Sequence, residues 1–548
     1  MRWVLCFVLS TVWAAEPGYV DPTSCRPCHP GIFDSYQKSG MARSFGPVGK
    51  LSLPVDFLHA TSQRRYAVVR KDEGYFLQRS APFFESRIDY QIGSGEHSKT
   101  FVHREENGKL LELPLSWYSE KNGSWNMSPG YDRPDHSDFR REVSDSCLFC
   151  HNGYPSESNK GLAHGIDCQR CHGPGDLHVR LKGPVVNPAR LSPQRSMEVC
   201  LQCHMESASR TLPEAIRRFG RGPFSFRPGE ALSDFMIYFE FAKTSPLQRI
   251  TVNGSAYGLM KSQCFLRSEG RLTCTTCHDP HSEIHGTEAL VHYKQVCRTC
   301  HAGTHGAARR DCTGCHMQKS RTQDAVHVVM TDHHIRRTPL TGDLLAMVPE
   351  SHDRISGPVK LLYPSTLPET PENRLYLAMA GDDAAVLNKA IEAARPSAPE
   401  PYFALAEAFR KAGKAQESLA AVRRVIEISP NDPHAYVLAA ELFMSRGDVD
   451  AAIGLVAPAL SRMPNDSSLL NTLATLYAGT ARFDIALRLL STAVQVSGSD
   501  PLSWLNMGVA REATGDRAGA IAAYQRSLVL QPDLERARTY RARLLRSP

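Results

Sequence analysis

The sequence predicts a mainly α fold in two unlike parts, and two observations carry that expectation. Before residue 340, fourteen of the sixteen cysteines fall into seven copies of the motif Cys-x-x-Cys-His. The copies crowd too closely for each to own a globular core, so short helices and loops gathered around them are expected, with a small β-rich insert. After residue 370 cysteine disappears, and alanine and leucine recur at helical spacing with a 34-residue period, the mark of an α-solenoid.

At 548 residues the chain is longer than one ordinary domain. Its 42% hydrophobic and 22% charged residues exclude a largely disordered chain. At the N-terminus Arg2 precedes the apolar run Trp3–Leu9, and Ala14 and Ala15 offer a cleavage site. Residues 1–15 therefore read as a secretory signal, and the mature protein as periplasmic or secreted. The run is shorter than the roughly 20 residues a bilayer requires, and no other stretch reaches that length, so no transmembrane segment is expected. Cys6 lies inside the run without the small residues that precede a lipidated cysteine.

Sixteen cysteines in an exported chain would ordinarily mean disulfides, but their placement points elsewhere. The motifs are Cys25, Cys28, His29; Cys147, Cys150, His151; Cys168, Cys171, His172; Cys200, Cys203, His204; Cys274, Cys277, His278; Cys297, Cys300, His301; and Cys312, Cys315, His316. This spacing lets two thiols form thioethers with the vinyl groups of one porphyrin and sets the next residue, histidine, beneath the iron as its proximal ligand. Zinc sites need two cysteine pairs converging and give no reason for histidine after every second cysteine. A thioredoxin-like dithiol fails likewise, since no βαβ frame surrounds the motifs. Seven covalently bound c-type haems are the expected cofactors. Three motifs start between Cys147 and Cys200 and three between Cys274 and Cys312, so the haems should pack against one another, with only the first set apart.

Low-spin haem iron needs a second axial ligand, usually histidine or methionine. Thirteen histidines beyond the seven proximal ones lie between residues 16 and 340. His281 and His178 follow closely on motifs, His327 and His333 lie after the last, and His97 and His136 stand upstream of the second. Each competes with the plainer reading of a surface or hydrogen-bonding histidine. His103, His164, His285, His305, His334 and His59 are lesser candidates.

The stretches around His172–His178 and Cys274–His281 resemble the multihaem cytochrome superfamily that includes the nitrification tetrahaem cytochrome, pentahaem nitrite reductase and octahaem hydroxylamine oxidoreductase. The likeness covers roughly residues 20–340 and is loose between motifs. Relatives often carry Ser-x-His-Ala soon after the first motif; here the stretch is Ser39, Gly40, Met41, Ala42. The resemblance makes Met41 a candidate distal ligand of the first haem, against the alternative of a core methionine. Cys264 is the one mature cysteine outside a motif. Relatives can place methionine or histidine near it, so thiolate ligation competes with a buried free thiol.

Residues 50–140 carry two hairpin signals, Lys71–Gly74 and Glu105–Gly108, each flanked by strand-like runs. A second insert at about 205–262 has no assignable chemistry. A linker is expected over 341–370, separating a haem domain at 16–340 from a repeat domain at 371–548. In the latter, Tyr402, Tyr436, Leu470 and Trp504 align, as do Ala406, Ala440, Ala474 and Gly508, with Pro430, Pro464 and Pro532 closing repeats. This is the tetratricopeptide pattern, and such solenoids commonly present a concave surface to a protein or peptide.

Three function classes follow. The first is an electron carrier whose repeat domain docks a partner, exchanging electrons with redox proteins. The second is an oxidoreductase acting on a small nitrogen or sulfur compound. The third is a scaffold with structural haems. Pentahaem nitrite reductase has lysine in place of one motif histidine, and no Cys-x-x-Cys-Lys occurs here, which sets relay ahead of catalysis; no catalytic residue is assigned. The apoprotein is formally +7, but two propionates per haem would offset that charge, so nucleic-acid binding is not expected.

Overall fold

The computed structural model describes residues 18–155, 162–205, 215–242, 250–301, 311–350, 358–381 and 383–546. The expected signal segment and His305 lie outside them. No described helix is long and apolar enough to cross a membrane.

The mainly α expectation holds for the C-terminal half alone. The insert between the first two motifs is larger than a small meander. Its strands are β1 (Phe45–Pro47), β2 (Val55–His59), β3 (Arg64–Lys71), β4 (Gly74–Arg79), β5 (Phe84–Ile88), β6 (Tyr90–Ile92), β7 (Ser98–Arg104), β8 (Leu110–Tyr118), β9 (Ser124–Met127) and β10 (Arg141–Glu142). They form two antiparallel sheets. One runs β2-β3-β4-β5; the other runs β1-β6-β7-β8-β10, with β9 also on β8. Along β3 the buried residues Tyr66 and Val68 alternate with more exposed ones, the period of a half-buried strand. Strand β8 pairs with three neighbours and is buried along nearly its whole length. Both hairpins form at their turn signals, with Lys71 opposite Gly74 and Arg104 opposite Leu110. Gly108 there has φ +89°, a conformation that favours glycine.

Tyr66, Leu77, Phe101, Leu113, Leu115 and Tyr131 share the core of the insert. One end of that core is charged. Arg79 and Asp138 are fully buried and ion-paired, Tyr66 Oη donates to Asp138 at 3.0 Å, and Arg64 lies 3.8 Å from the same carboxylate.

The motif segments contribute short helices: α1 (Pro30–Tyr36), α2 (Asp145–His151), α3 (Gln169–His172), α4 (Asp176–Leu181), α5 (Pro193–His204), α6 (Ser255–Met260), α7 (Gln263–Leu266), α8 (Gly286–Cys300) and α9 (Thr313–His316). Their burial is uneven: α5 buries five of its 12 residues, whereas none of the 15 residues of α8 is buried. The second insert supplies β11 (Ile216–Arg217) and β12 (Met236–Phe241), and two short strands, β13 (Lys319–Arg321) and β14 (Val329–Thr331), pair after the last motif. The stretch expected as a linker contributes β15 (Val359–Tyr363), which pairs with β12. An apolar strand at that point finds a sheet edge to cover, so the chain is structured where a spacer was anticipated.

The solenoid is built of helix pairs: α10 (Pro371–Ala380) with α11 (Ala384–Ala394), α12 (Glu400–Lys411) with α13 (Ala415–Ile428), α14 (Pro433–Ser445) with α15 (Val449–Arg462), α16 (Ser467–Gly479) with α17 (Phe483–Val496), α18 (Pro501–Ala513) with α19 (Arg517–Leu530), and a closing α20 (Glu535–Arg546). The repeat is visible in its caps. Asp432, Asp466 and Asp500, each 34 residues after the last, accept from the first-turn amides of His434, Leu469 and Leu502 at 2.9–3.1 Å. Tyr402, Tyr436 and Trp504 likewise donate to carbonyls six residues back, on Pro396, Pro430 and Gly498, at 3.0–3.3 Å. Gly498, replacing the usual proline, still supplies that carbonyl. A Cβ at Gly508 would strike the ring of Tyr524, so glycine there permits the close approach of α18 and α19.

Both ends of the solenoid are tied to the N-terminal half. At its start, Phe219 stacks on Tyr376 with ring centres 4.4 Å apart, and Arg218 donates to Asn373 at 2.7 Å. At its far end, Arg79 donates to the carbonyl of Val529, and Arg64 lies 3.4 Å from Asp533. Arg79 thus serves two partners from a fully buried position. Arg79→Leu leaves the Asp138 carboxylate buried beside Arg64 alone and is expected to lower the unfolding free energy by about 3–5 kcal/mol. Urea denaturation of the full chain, followed by circular dichroism, checks this; a loss below about 1 kcal/mol would remove Arg79 from this role.

Candidate functional site

The motif spacing reads out on helical turns. Positions i, i+3 and i+4 share a helix face, and motif histidines end α2, α3, α5 and α9, so both cysteines and the histidine of such a motif point one way. No two of the fifteen described cysteines form a disulfide.

Sulfur positions link the motifs in space. Cys25 neighbours Cys168, Cys200 neighbours Cys274, and Cys297 neighbours Cys312. Cys171 neighbours Cys203, and Cys277 neighbours Cys297 and Cys264. The expectation that the first motif stands apart therefore fails. Sequence distance misled, because the chain returns through the β insert to set the first motif against the third.

Three pairs of histidines oppose one another. The rings of His29 and His178 have centres 6.3 Å apart and planes within 16°. His172 and His281 are 6.0 Å apart at 14°, and His278 and His333 are 6.2 Å apart at 35°. Each pair joins a motif histidine to one outside any motif. Two imidazoles bound to opposite faces of one metal through bonds of about 2.0 Å, with ring centres about 1.1 Å further back, have centres about 6.2 Å apart.

The nitrogens agree with that geometry. Nδ1 of His172 meets the carbonyl of Val186 at 2.8 Å, His178 that of Gly183 at 2.8 Å, His316 that of Arg336 at 2.6 Å, and His333 that of Thr331 at 3.0 Å. A carbonyl can only accept, so Nδ1 carries the proton and Nε2 keeps its lone pair for a metal. Burial pushes His151 and His278 down to about 4 and also lowers His172, His204 and His333, holding all five rings in the neutral, ligating form at pH 7. Among the described residues no three His, Cys, Asp or Glu side chains converge as a protein-only metal site would require. Haem iron asks only two ligands of the protein, so the donor set fits haem.

Other sequence candidates fall elsewhere. Opposite His29 stands His178, not Met41. Met41 lies in the loop that reaches the second motif: its carbonyl accepts from Ile166 at 3.0 Å, and Ser44 donates to the carbonyl of His151 at 2.8 Å. Gly165, at φ +63°, permits this approach, since a Cβ there would strike the Ala42 carbonyl. His136 lies in the charged end of the β insert, its ring 5.5–6.3 Å from those of His59, Tyr66 and Tyr131. His327 packs against Tyr118 at 5.2 Å with Nε2 3.7 Å from Asp132. Neither faces a motif histidine among the described residues; the polar core of the insert claims both. His97 is exposed, beside Glu96 and near Lys319, just past the seventh motif. His103 pairs with Asp89 at 2.8 Å, His59 with Asp132 at 3.0 Å, and His285 lies exposed, 3.8 Å from Glu283. Sequence reading passed over Tyr293, whose hydroxyl lies 3.3 Å from Nδ1 of His278, and His292, which reaches the carbonyl of Cys277 at 3.0 Å. One turn of α8 brings both to the fifth motif, but nothing local marks them.

Family profiles described as tetratricopeptide repeat match residues 409–477 and, separately, 382–433 and 471–535. On those matches, residues 382–535 carry tetratricopeptide repeats. The chain is similar to the multiheme cytochrome MtrA of Shewanella baltica (strain OS185), with 23% identity over 188 residues, 30% of this chain and 54% of that protein. It thus spans about half the length of this curated relative. Similar solved structures include YrrB, a tetratricopeptide-repeat protein with an unusual peptide-binding site, at 16% identity, 31% of this chain, 84% of that one and a TM-score of 0.26. Another is the thermophilic tetratricopeptide-repeat protein TTC0263 of Thermus thermophilus, at 20%, 32%, 99% and 0.27.

The placement of His136 has a consequence for acid stability. Burial, reinforced by Arg64, pushes its pKa down to about 3 from 6.5. Below 6.5 the unfolded chain takes up a proton that the folded ring refuses, so stability falls as pH drops from 6.5 toward 3. His136→Gln should flatten that fall. Urea midpoints of parent and variant at about pH 7, 5.5 and 4 measure it, and parallel slopes would exclude the ring as the cause.

Proposed function

We propose that this chain is an exported multihaem c-type cytochrome that relays electrons along covalently bound haems, with its tetratricopeptide repeats docking a protein partner. The observation that carries the reading is the set of three opposed imidazole pairs, His29 with His178, His172 with His281 and His278 with His333. The partial likeness to a multiheme cytochrome supports it, as does the repetition of the motif seven times.

Bound haem iron supplies a reversible one-electron site. The protein's part is to tether and orient it. The fourteen motif cysteines form the thioethers, the seven motif histidines are proximal ligands, and His178, His281 and His333 are distal ligands. The Nδ1 hydrogen bonds to Val186, Gly183 and Thr331 fix ring orientation and raise ligand basicity. The neighbouring sulfurs of Cys25 and Cys168, Cys171 and Cys203, Cys200 and Cys274, Cys277 and Cys297, and Cys297 and Cys312 support a path from motif to motif. Domains accordingly divide as a haem region to about residue 340 and a repeat region from 371. The repeats bind proteins in general, and their attachment at both ends presents any docked partner in a fixed position relative to the motifs.

Two measurements test the relay. The purified ferric protein should show only low-spin signals in electron paramagnetic resonance, with seven haems per chain by pyridine haemochrome assay. A high-spin fraction equal to one haem would instead favour an oxidoreductase of small nitrogen or sulfur compounds. His178→Ala, His281→Ala and His333→Ala should each convert about one seventh of the signal to high spin while keeping haem content, because the thioethers remain. A wholly low-spin His281→Ala protein would remove that histidine from the ligand list.

A further inference from the structure

Inside the third motif stands Arg170, 1% exposed and among the largest fully buried side chains of the protein. Its guanidinium lies over three aromatic rings, 4.5 Å from the centre of Phe149, 5.1 Å from Tyr154 and 5.4 Å from Phe224. Nη2 donates to the carbonyl of Phe149 at 2.8 Å. Nε and Nη1 are shut from solvent and meet no oxygen acceptor. Among the described residues no carboxylate lies within ion-pair reach. Asp167, buried three residues away, accepts from the amide of Gln169 at 2.8 Å and feels the guanidinium charge without pairing with it. The sulfurs near the guanidinium are those of Cys203, Cys150 and Cys171, which belong to the fourth, second and third motifs.

Arginine cannot shed its proton in a protein, and a buried unpaired charge is costly. Here the cost is met by aromatic faces, which attract a cation through their quadrupoles. That choice matters. A carboxylate would cancel the charge, whereas aromatic faces hold it without cancelling it. The field of the guanidinium therefore persists in a low-dielectric region, where it is felt more strongly than in water. An added electron makes iron less positive, so a fixed positive charge nearby favours the reduced state.

We infer that Arg170 is a potential-setting residue, which raises the reduction potentials at the second, third and fourth motifs above those of the others and makes them the places where electrons rest along the path. This rests on the proposed attachment of haem at these three motifs.

Spectroelectrochemical titration of the full-length protein tests it. Haem content of the parent is measured first; lack of haem at these motifs would overturn the attachment reading, and this inference with it, before any variant is titrated. In Arg170→Met, which keeps an aliphatic stem against the rings, three of seven one-electron components should shift downward. Each should show about a tenfold fall in the ferrous-to-ferric ratio at fixed potential, equivalent to about 59 mV. Arg170→Gln carries the same expectation should the methionine variant lose haem. Arg170→Lys, retaining the charge, should keep all three components within about twofold of the parent. Full haem content with no component moved by more than twofold in the neutral variants would overturn the inference. So would a lysine variant that shifts as far as methionine, since shape rather than charge would then be responsible.

Discussion

The N-terminal half depends on the opposition of imidazole rings across gaps of 6.0–6.3 Å. Each pair draws together segments that the chain keeps far apart, and each follows one rule. The histidine of the first motif meets one just past the third, that of the third meets one just past the fifth, and that of the fifth meets one past the seventh. The odd-numbered motifs are thereby stitched into a single run. Hydrogen bonds support the first of these joins, Tyr36 Oη donating to the carbonyl of Ile166 at 2.8 Å and Gln169 exchanging two bonds with Val20. Hydrophobic packing contributes less: α8 has no buried residue, and Leu177, Leu181, Val291 and Ile32 are more than half exposed on the helices flanking the pairs.

The rest of the molecule follows a different economy. The β insert and the solenoid bury conventional cores, and each is ordered by local patterns. In the solenoid, capping aspartates and a ring donor to a carbonyl six residues back recur in successive repeats, so every helix pair is positioned in the same way. Phe219 on Tyr376 joins the start of the solenoid to the second insert, and Arg79 and Arg64 join its end to the β insert. The helical array is thus tied at both ends to the parts of the N-terminal half that have buried cores of their own.

What was legible in the sequence was what is local. Seven motifs, two hairpins and a 34-residue period are patterns within a few turns of chain, and each appears where the residues put it. What was hidden is what depends on distant partners. His178, His281 and His333 were picked out by their nearness to motifs, but nearness did not say which motif each would face. The same reasoning misplaced His136, His327 and Met41, since a histidine in a loop and one in a buried polar cluster look alike when burial is unknown. The stretch at 359–363 is an apolar pentapeptide that becomes a strand only because β12 offers it an edge. Arg170 occupies a variable position of its motif, and nothing local distinguishes it from an exposed arginine.

The stitching rule also constrains how the protein matures. On the proposed reading, thioether attachment is local to each motif, because both cysteines and the proximal histidine lie within five residues. Distal ligation is not. His29 cannot meet its partner until the segment after the third motif has been made, nor His172 until that after the fifth. Attachment can therefore precede folding motif by motif, whereas the second axial bond reports that the next-but-one segment has arrived. Covalent tethering keeps each cofactor in place during that wait, which a haem held by axial bonds alone would not survive in so sparsely packed a region. On that reading the ligated iron would hold the segments that bury least, such as α8, while the second and fourth motifs also rest on a hydrophobic core.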